Sequence, residues 1–152
     1  MHSAPTSFAE WQNYPLTLDP IHVAWLKQAK QAKTAFAVAD IEGIEISHKR
    51  FLTGVLLFAK KIKIYSPEQN VALLLPSSGG GAIASMAILS LGKTLVNLNF
   101  TAGKKALQSA VEQAEVQHIY TSRKFIDKMF EKGDDLASFF PDIELLFLVD
   151  IK

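Results

Sequence analysis

The residues of this chain best suited to chemistry are the string Ser77-Ser78-Gly79-Gly80-Gly81, four histidines, and two basic pairs, Lys104-Lys105 and Arg123-Lys124. The serine-glycine string follows an apolar run and precedes a helical pattern, a setting in which backbone amides and a helix N-terminus cradle a phosphate. It lacks the G-x-G-x-x-G spacing and the G-x-x-x-x-G-K-[ST] signature, and the next apolar segment ends Asn97-Leu98-Asn99 with no acid for a ribose. A structural turn is therefore the favoured reading, with phosphate binding as its competitor. His2, His22, His48 and His118 have no metal-ligand spacing. No G-x-S-x-G elbow accompanies the serines, and Ser85 falls inside an apolar helical pattern. The basic pairs each open a helix, where a cation opposes the helix dipole; they read as solvated surface, with anion binding as the alternative. Lys60-Lys61-x-Lys63 likewise reads as a solvated helix end or as a contact for an acidic partner.

The elements that position these residues follow from periodicity. Pro5, Pro15 and Pro20 with Phe8, Trp11 and Tyr14 between them predict an irregular arm over residues 1–19. Pro20 opens a helix to about Ala32, with Asp19 as its cap. Ala35–Ala39 and Ile44–Ile46 flank Asp40-Ile41-Glu42-Gly43 and predict a small hairpin. Ser47 caps a helix whose Phe51, Leu52, Val55, Phe58, Ala59 and Ile62 recur at helical spacing. The unbroken run Val71–Leu75 reads as a strand buried on both faces. A helix over Ala82–Leu91 closed by Gly92 comes next, then a strand over Thr94–Phe100. Thr101 is expected to cap a helix with Leu107 and Val111 inward, before a strand over Val116–Tyr120. Ser122 caps a further helix with Phe125, Ile126, Met129 and Phe130 inward, and Ile143–Val149 is the last strand. Strands alternating with helices predict an α/β fold with a mostly parallel sheet and helices on both faces, plus the arm and the hairpin. Ligands of such sheets gather beyond the C-terminal strand ends, here Pro76–Gly81, Asn99–Gly103 and Thr121–Arg123.

Composition limits the function classes. Of 152 residues, 49% are hydrophobic and 20% charged, which excludes a disordered polar chain. Sixteen Lys and Arg against 15 Asp and Glu leave a net charge of +1, so no general footprint for nucleic acid exists. The absence of cysteine excludes disulfides, thiolate metal sites and thiol catalysis, and suits a cytoplasmic setting. The N-terminus shows no secretory pattern, and the nearly uncharged stretch Val71–Gly92 is broken by Pro76 and three glycines, so no membrane span is expected.

Two longer strings point to a family. Asn99-Phe100-Thr101-Ala102-Gly103-Lys104-Lys105-Ala106-Leu107-Gln108-Ser109-Ala110 and Ile119-Tyr120-Thr121-Ser122-Arg123-Lys124-Phe125-Ile126-Asp127-Lys128 resemble a stretch of the acyl-[acyl-carrier-protein] synthetase / 2-acylglycerophosphoethanolamine acyltransferases. These belong to the AMP-binding, acyl-adenylate-forming superfamily. Asp40-Ile41-Glu42, the helix from His48 and Leu74-Leu75-Pro76 support the resemblance, which runs from about residue 20 to the end. Phe100 stands where tyrosine is usual, Ser77 replaces an asparagine, and His48 takes a common tyrosine position.

The resemblance implies an enzyme in which a fatty acid carboxylate attacks the α-phosphate of ATP, with Mg2+ neutralising the phosphates, and a carrier thiol then takes the acyl group. It implies fatty acid, acyl carrier protein and a lysophospholipid as partners, and an inner-membrane association of the longer protein. The Ser/Thr/Gly-rich loop with its lysine, the Tyr-x-x-Thr-Glu element, the ribose acid and the mobile lysine of that family are not found in these residues. The expectation is therefore an inactive N-terminal subdomain, residues 20–152 behind the arm, that packs on the remainder of the AMP-binding domain. No catalytic residue, metal ligand or bound cofactor is assigned within it; Asn99, Phe100 and Thr101 are the candidate acyl-wall residues. A stand-alone nucleotide-binding module using the glycine turn and Arg123, and a docking domain for an acidic carrier protein, are the alternatives. The last strand's exposed edge would suit a homodimer.

Overall fold

The computed structural model describes residues 19–40, 43–129 and 139–148, the side chain of Met129 excepted. The predicted arm falls outside this range except for Asp19. So do the hairpin-turn residues Ile41 and Glu42, the inward positions of Met129 and Phe130, and Val149 of the last strand.

In chain order the elements are α1 (Ile21–Gln31), β1 (Phe36–Ala39), β2 (Glu45–Ser47), α2 (His48–Tyr65), β3 (Asn70–Leu73), α3 (Gly79–Ser90), β4 (Thr94–Asn97), α4 (Lys104–Gln113), β5 (His118–Thr121), α5 (Arg123–Met129) and β6 (Glu144–Phe147). β1 and β2 form the antiparallel hairpin, and the other four strands form a wholly parallel sheet in the order β4-β3-β5-β6. The predicted α/β class with helices on both faces is the one observed.

Alternation along β3 divides the core in two. Val71 and Leu73 face Phe51, Val55, Ala59 and Ile62 of α2 and Ala84, Ala87 and Ile88 of α3. Ala72 and Leu74 face Leu107 and Val111 of α4 and Phe125 of α5. The indole of Trp25 on α1 packs edge-on against Phe51, with ring centroids 5.1 Å apart, and its Nε1–H donates to His48 Nδ1 at 3.1 Å.

Helix ends follow local chemistry, with two departures from expectation. The hydroxyls of Ser47 and Ser122 accept from the Arg50 and Phe125 amides, as their positions predict. α3 ends in a Schellman arrangement at Gly92, whose φ is +70°: the Gly92 amide donates to Leu89 and the Lys93 amide to Ile88. Asp19, in contrast, does not cap α1; its carboxylate pairs with Lys27, and Pro20 is the N-cap. Nor does Thr101 cap α4, since its hydroxyl donates to Asn99 Oδ1 at 2.8 Å and Gly103 is the N-cap.

Polar side chains of β5 are paired with neighbouring elements. The fully buried hydroxyls of Ser66 and Tyr120 share a hydrogen bond of 2.9 Å, and the Thr121 hydroxyl donates to the Leu74 carbonyl at 2.7 Å. At the N-terminal strand ends His118 lies between Glu68 Oε1, at 2.9 Å, and Glu144 Oε2, at 3.3 Å. Burial pushes the Tyr120 hydroxyl up to about 12, against a smaller opposing effect of the Ser66 hydrogen bond. A group that binds its proton more tightly when folded stabilises the fold fully below its unfolded value. That contribution is lost as pH rises through the folded value. Urea unfolding should therefore show stability falling between pH 10 and about 12, and Tyr120→Phe should flatten that slope. At neutral pH the same variant strands the buried Ser66 hydroxyl and is expected to cost about 1–3 kcal/mol.

Candidate functional site

The C-terminal ends of β3 and β4 open into a cavity of about 690 Å³. One side is formed by Val38, Ala39 and Asp40 of the hairpin, the opposite one by Asn97, Leu98, Asn99 and Phe100. Leu73, Leu75 and Ala82 add aliphatic surface, Ser77, Ser78 and Ser85 add hydroxyls, and Asp40 is the sole charged side chain of the lining among the described residues. A second cavity of about 370 Å³ shares Asp40, Leu75 and Phe100, and adds Ser122, Lys124, Phe125 and Lys128. Phe100 lines both, held edge-on against Phe125 with centroids 5.1 Å apart.

Asp40 organises the rim. Its Oδ1 accepts from the Ile44 amide at 3.1 Å, which closes the hairpin, and its Oδ2 accepts from the Gly79 amide at 3.3 Å, in the first turn of α3. Ser78 Oγ accepts from the Gly81 amide at 3.1 Å, and the Ser78 carbonyl accepts from Ala82. The N-terminus of α3 thus already holds an anion, the Asp40 carboxylate, and that group would repel a phosphate brought to the same amides.

The three glycines lie inside α3, which starts three residues before the predicted Ala82. Their smallness serves packing. A Cβ on Gly79 would come 2.7 Å from Ile46 Cδ1, and one on Gly81 would come 3.0 Å from the Pro76 carbonyl oxygen, whereas one on Gly80 would meet only Ser78 Oγ, in ordinary contact at 4.0 Å. The structural-turn reading of this string is the one its packing and the Asp40 contact support.

Of the three candidate acyl-wall residues, Asn99 and Phe100 reach the larger cavity and Thr101 does not. Thr101 instead fixes the Asn99 side chain, donating both its amide, at 3.0 Å, and its hydroxyl to Asn99 Oδ1. In the basic pairs, Lys104 sits over the Phe139 ring, 4.6 Å from its centroid, and Arg123 over that of Phe147, at 4.3 Å. Asp40 is the residue that sequence reasoning placed only in a turn. Its partner amide lies 39 positions further on, and no local pattern signals the contact.

No protein-family model matches the chain. Solved structures do. O-succinylbenzoate coenzyme A synthetase from Bacillus subtilis, in complex with AMP, superposes with a TM-score of 0.69 at 15% identity, over 88% of this chain and 32% of that one. The Klebsiella oxytoca NpsA N-terminal subdomain, in complex with 3-hydroxyanthranilyl-AMSN, gives 0.69 at 14% identity, over 96% and 33%. The chain has the fold of the N-terminal subdomain of adenylate-forming enzymes. An artificially fused NpsA-ThdA adenylation-PCP di-domain, also from Klebsiella oxytoca, gives 0.66 at 12% identity, over 87% and 23%. The chain spans about a third of the length of these structures or less.

Two single substitutions test whether the glycines serve packing. Gly80→Ala is expected to stabilise the chain by up to about 1 kcal/mol, the difference in helix propensity. Gly81→Ala brings a methyl to 3.0 Å from the Pro76 carbonyl oxygen, a backbone atom, and is expected to destabilise by about 1 kcal/mol or more. Urea denaturation of the two variants side by side measures the difference.

Proposed function

We propose that this chain is the N-terminal α/β part of a longer ATP-dependent fatty acid:acyl-carrier-protein ligase. The observation that carries the reading is the larger cavity at the strand ends, where Val38, Leu73, Leu75, Leu98 and Phe100 supply apolar wall beside the polar side chains of Asp40, Ser77, Ser78, Ser85, Asn97 and Asn99, and no basic residue lines the space. An alkyl chain is held by such walls through apolar burial, whereas a polyphosphate finds no counter-charge there. The shared fold of adenylate-forming enzymes supports this assignment.

In this reading Asn99 and Phe100 form one wall of the acyl site, and Thr101 holds the Asn99 side chain in place. Residues 20–152 act as the subdomain and 1–19 as its arm. ATP and Mg2+ are held by parts of the protein outside this chain, and the chain alone is inert. The carboxylate oxygen of the fatty acid forms a bond to the α-phosphorus as pyrophosphate leaves; the carrier thiol then attacks the acyl carbonyl and AMP leaves. The likeness to an adenylation-PCP di-domain supports a carrier protein as the acceptor. Onward transfer to a lysophospholipid, and membrane association of the longer protein, rest on the sequence resemblance. The described residues contain no helix long and apolar enough to cross a membrane.

The longer protein is expected to exchange labelled pyrophosphate into ATP only when a fatty acid is present. Phe100→Ala opens the wall and should shift the ratio of kcat/KM toward longer or bulkier acids by about tenfold, with the KM for ATP unchanged. Fatty-acid-independent exchange, or an unaltered chain-length ratio, would overturn the assignment of this wall.

A further inference from the structure

Opposite the cleft, where the strands begin, three titratable side chains from three elements meet. His118 is the first residue of β5 and Glu144 the first of β6, and the two are direct partners in the parallel register. Glu68 joins them from the turn between α2 and β3. Each ring nitrogen of His118 faces a carboxylate oxygen, Nδ1 that of Glu68 at 2.9 Å and Nε2 that of Glu144 at 3.3 Å. An ionised carboxylate only accepts hydrogen bonds, and a neutral imidazole has a single N–H to give. The ring therefore serves both carboxylates only as imidazolium. Once neutral, it presents a lone pair to one of them.

The two carboxylates are unequal. The Glu68 side chain is 7% exposed and its Oε2 is buried with no hydrogen-bond partner among the described residues, so the bond from Nδ1 is the one that compensates its charge. Glu144, 65% exposed and at the longer distance, can turn to water instead. The other titratable groups about the cluster are Lys93, whose ammonium donates to the Pro67 and Glu68 carbonyls, Tyr65 at the end of α2, and Tyr120, bonded to Ser66. β6 lies at the sheet's edge and pairs with β5 alone among the described residues. We propose that His118 is a proton-operated latch on β6: the imidazolium holds Glu68 and Glu144 together, and the neutral ring keeps Glu68 and releases Glu144. A tie at the first residue of an edge strand governs how readily that strand opens locally. The latch is closed while the ring is charged and opens as pH rises through the ring's titration.

Amide hydrogen exchange and imidazole nitrogen NMR of the full 152-residue chain test the latch between about pH 5.5 and about pH 8.5, the range in which histidine side chains generally titrate. With intrinsic rates divided out, protection of the Glu144 amide, which donates to the Gln117 carbonyl, is expected to fall about two- to fivefold over that range, the worth of a partly exposed ion pair. The Leu74 amide, bonded to the Tyr120 carbonyl inside the sheet, is the interior reference and should not change. At the acid end both His118 ring nitrogens should carry a proton; at the alkaline end Nδ1 should keep its proton while Nε2 loses it. In Glu144→Gln the amide side chain both donates and accepts, so it serves either form of the ring, and protection at residue 144 should no longer depend on pH. A thermal melt of that variant matching the parent chain confirms that its fold is intact. Undiminished pH dependence in Glu144→Gln, unchanged protection in the parent chain, an equal fall at Leu74, or a neutral ring protonated at Nε2 overturns the proposal.

Discussion

β3 is enclosed on both faces and paired on both edges. Val71 and Leu73 face α2 and α3, Ala72 and Leu74 face α4 and α5, and β4 and β5 flank it. Such a strand cannot exist until both helical layers are in place, because each layer buries half of its side chains. The neighbouring strands inherit the constraint. Parallel pairing demands a crossover between each pair, and the crossovers α3, α4 and α5 are the helices that supply the cover. Tyr120, next to β3 in the sheet, carries the same demand in polar form: its hydroxyl has to find Ser66 inside the core.

The direction of the sheet then fixes where a ligand can lie. All four strands end on the same side, where the loops after β3 and β4 meet the hairpin. Asp40 joins the hairpin to α3 by spending its carboxylate on the amides of Ile44 and Gly79. That bridge has an electrostatic consequence. A helix start that in other α/β folds receives a phosphate here receives a protein carboxylate, and the cleft beside it has no basic residue in its lining. In the proposed ligase the cleft takes the acyl group, and the nucleotide is held elsewhere in the protein.

Much of the architecture was legible because the decisive signals are local. The run Val71–Leu75 reads as a doubly buried strand from its lack of alternation, Ser47 and Ser122 read as caps from position, and Gly92 reads as a helix stop. The failures arise where another partner competes for the capping side chain. Asp19 left its capping role for Lys27, and the Thr101 hydroxyl was taken by Asn99. Three consecutive glycines disguised the first turn of α3, since low helix propensity is the sequence's only view of residues chosen for the closeness of Ile46 and the Pro76 carbonyl. Of the candidate site, Asn99 and Phe100 were legible from their place at a strand end. Asp40 was not, because its role depends on a contact that only the finished fold creates.

In the proposed ligase this cleft takes the acyl group and carries no nucleotide site of its own. A calorimetric titration of the chain with Mg2+-ATP tests it most directly. No saturable heat is expected. Saturable binding that is lost on Gly80→Asp would contradict it, because that result would make the glycine turn a phosphate cradle in spite of the Asp40 carboxylate at its mouth.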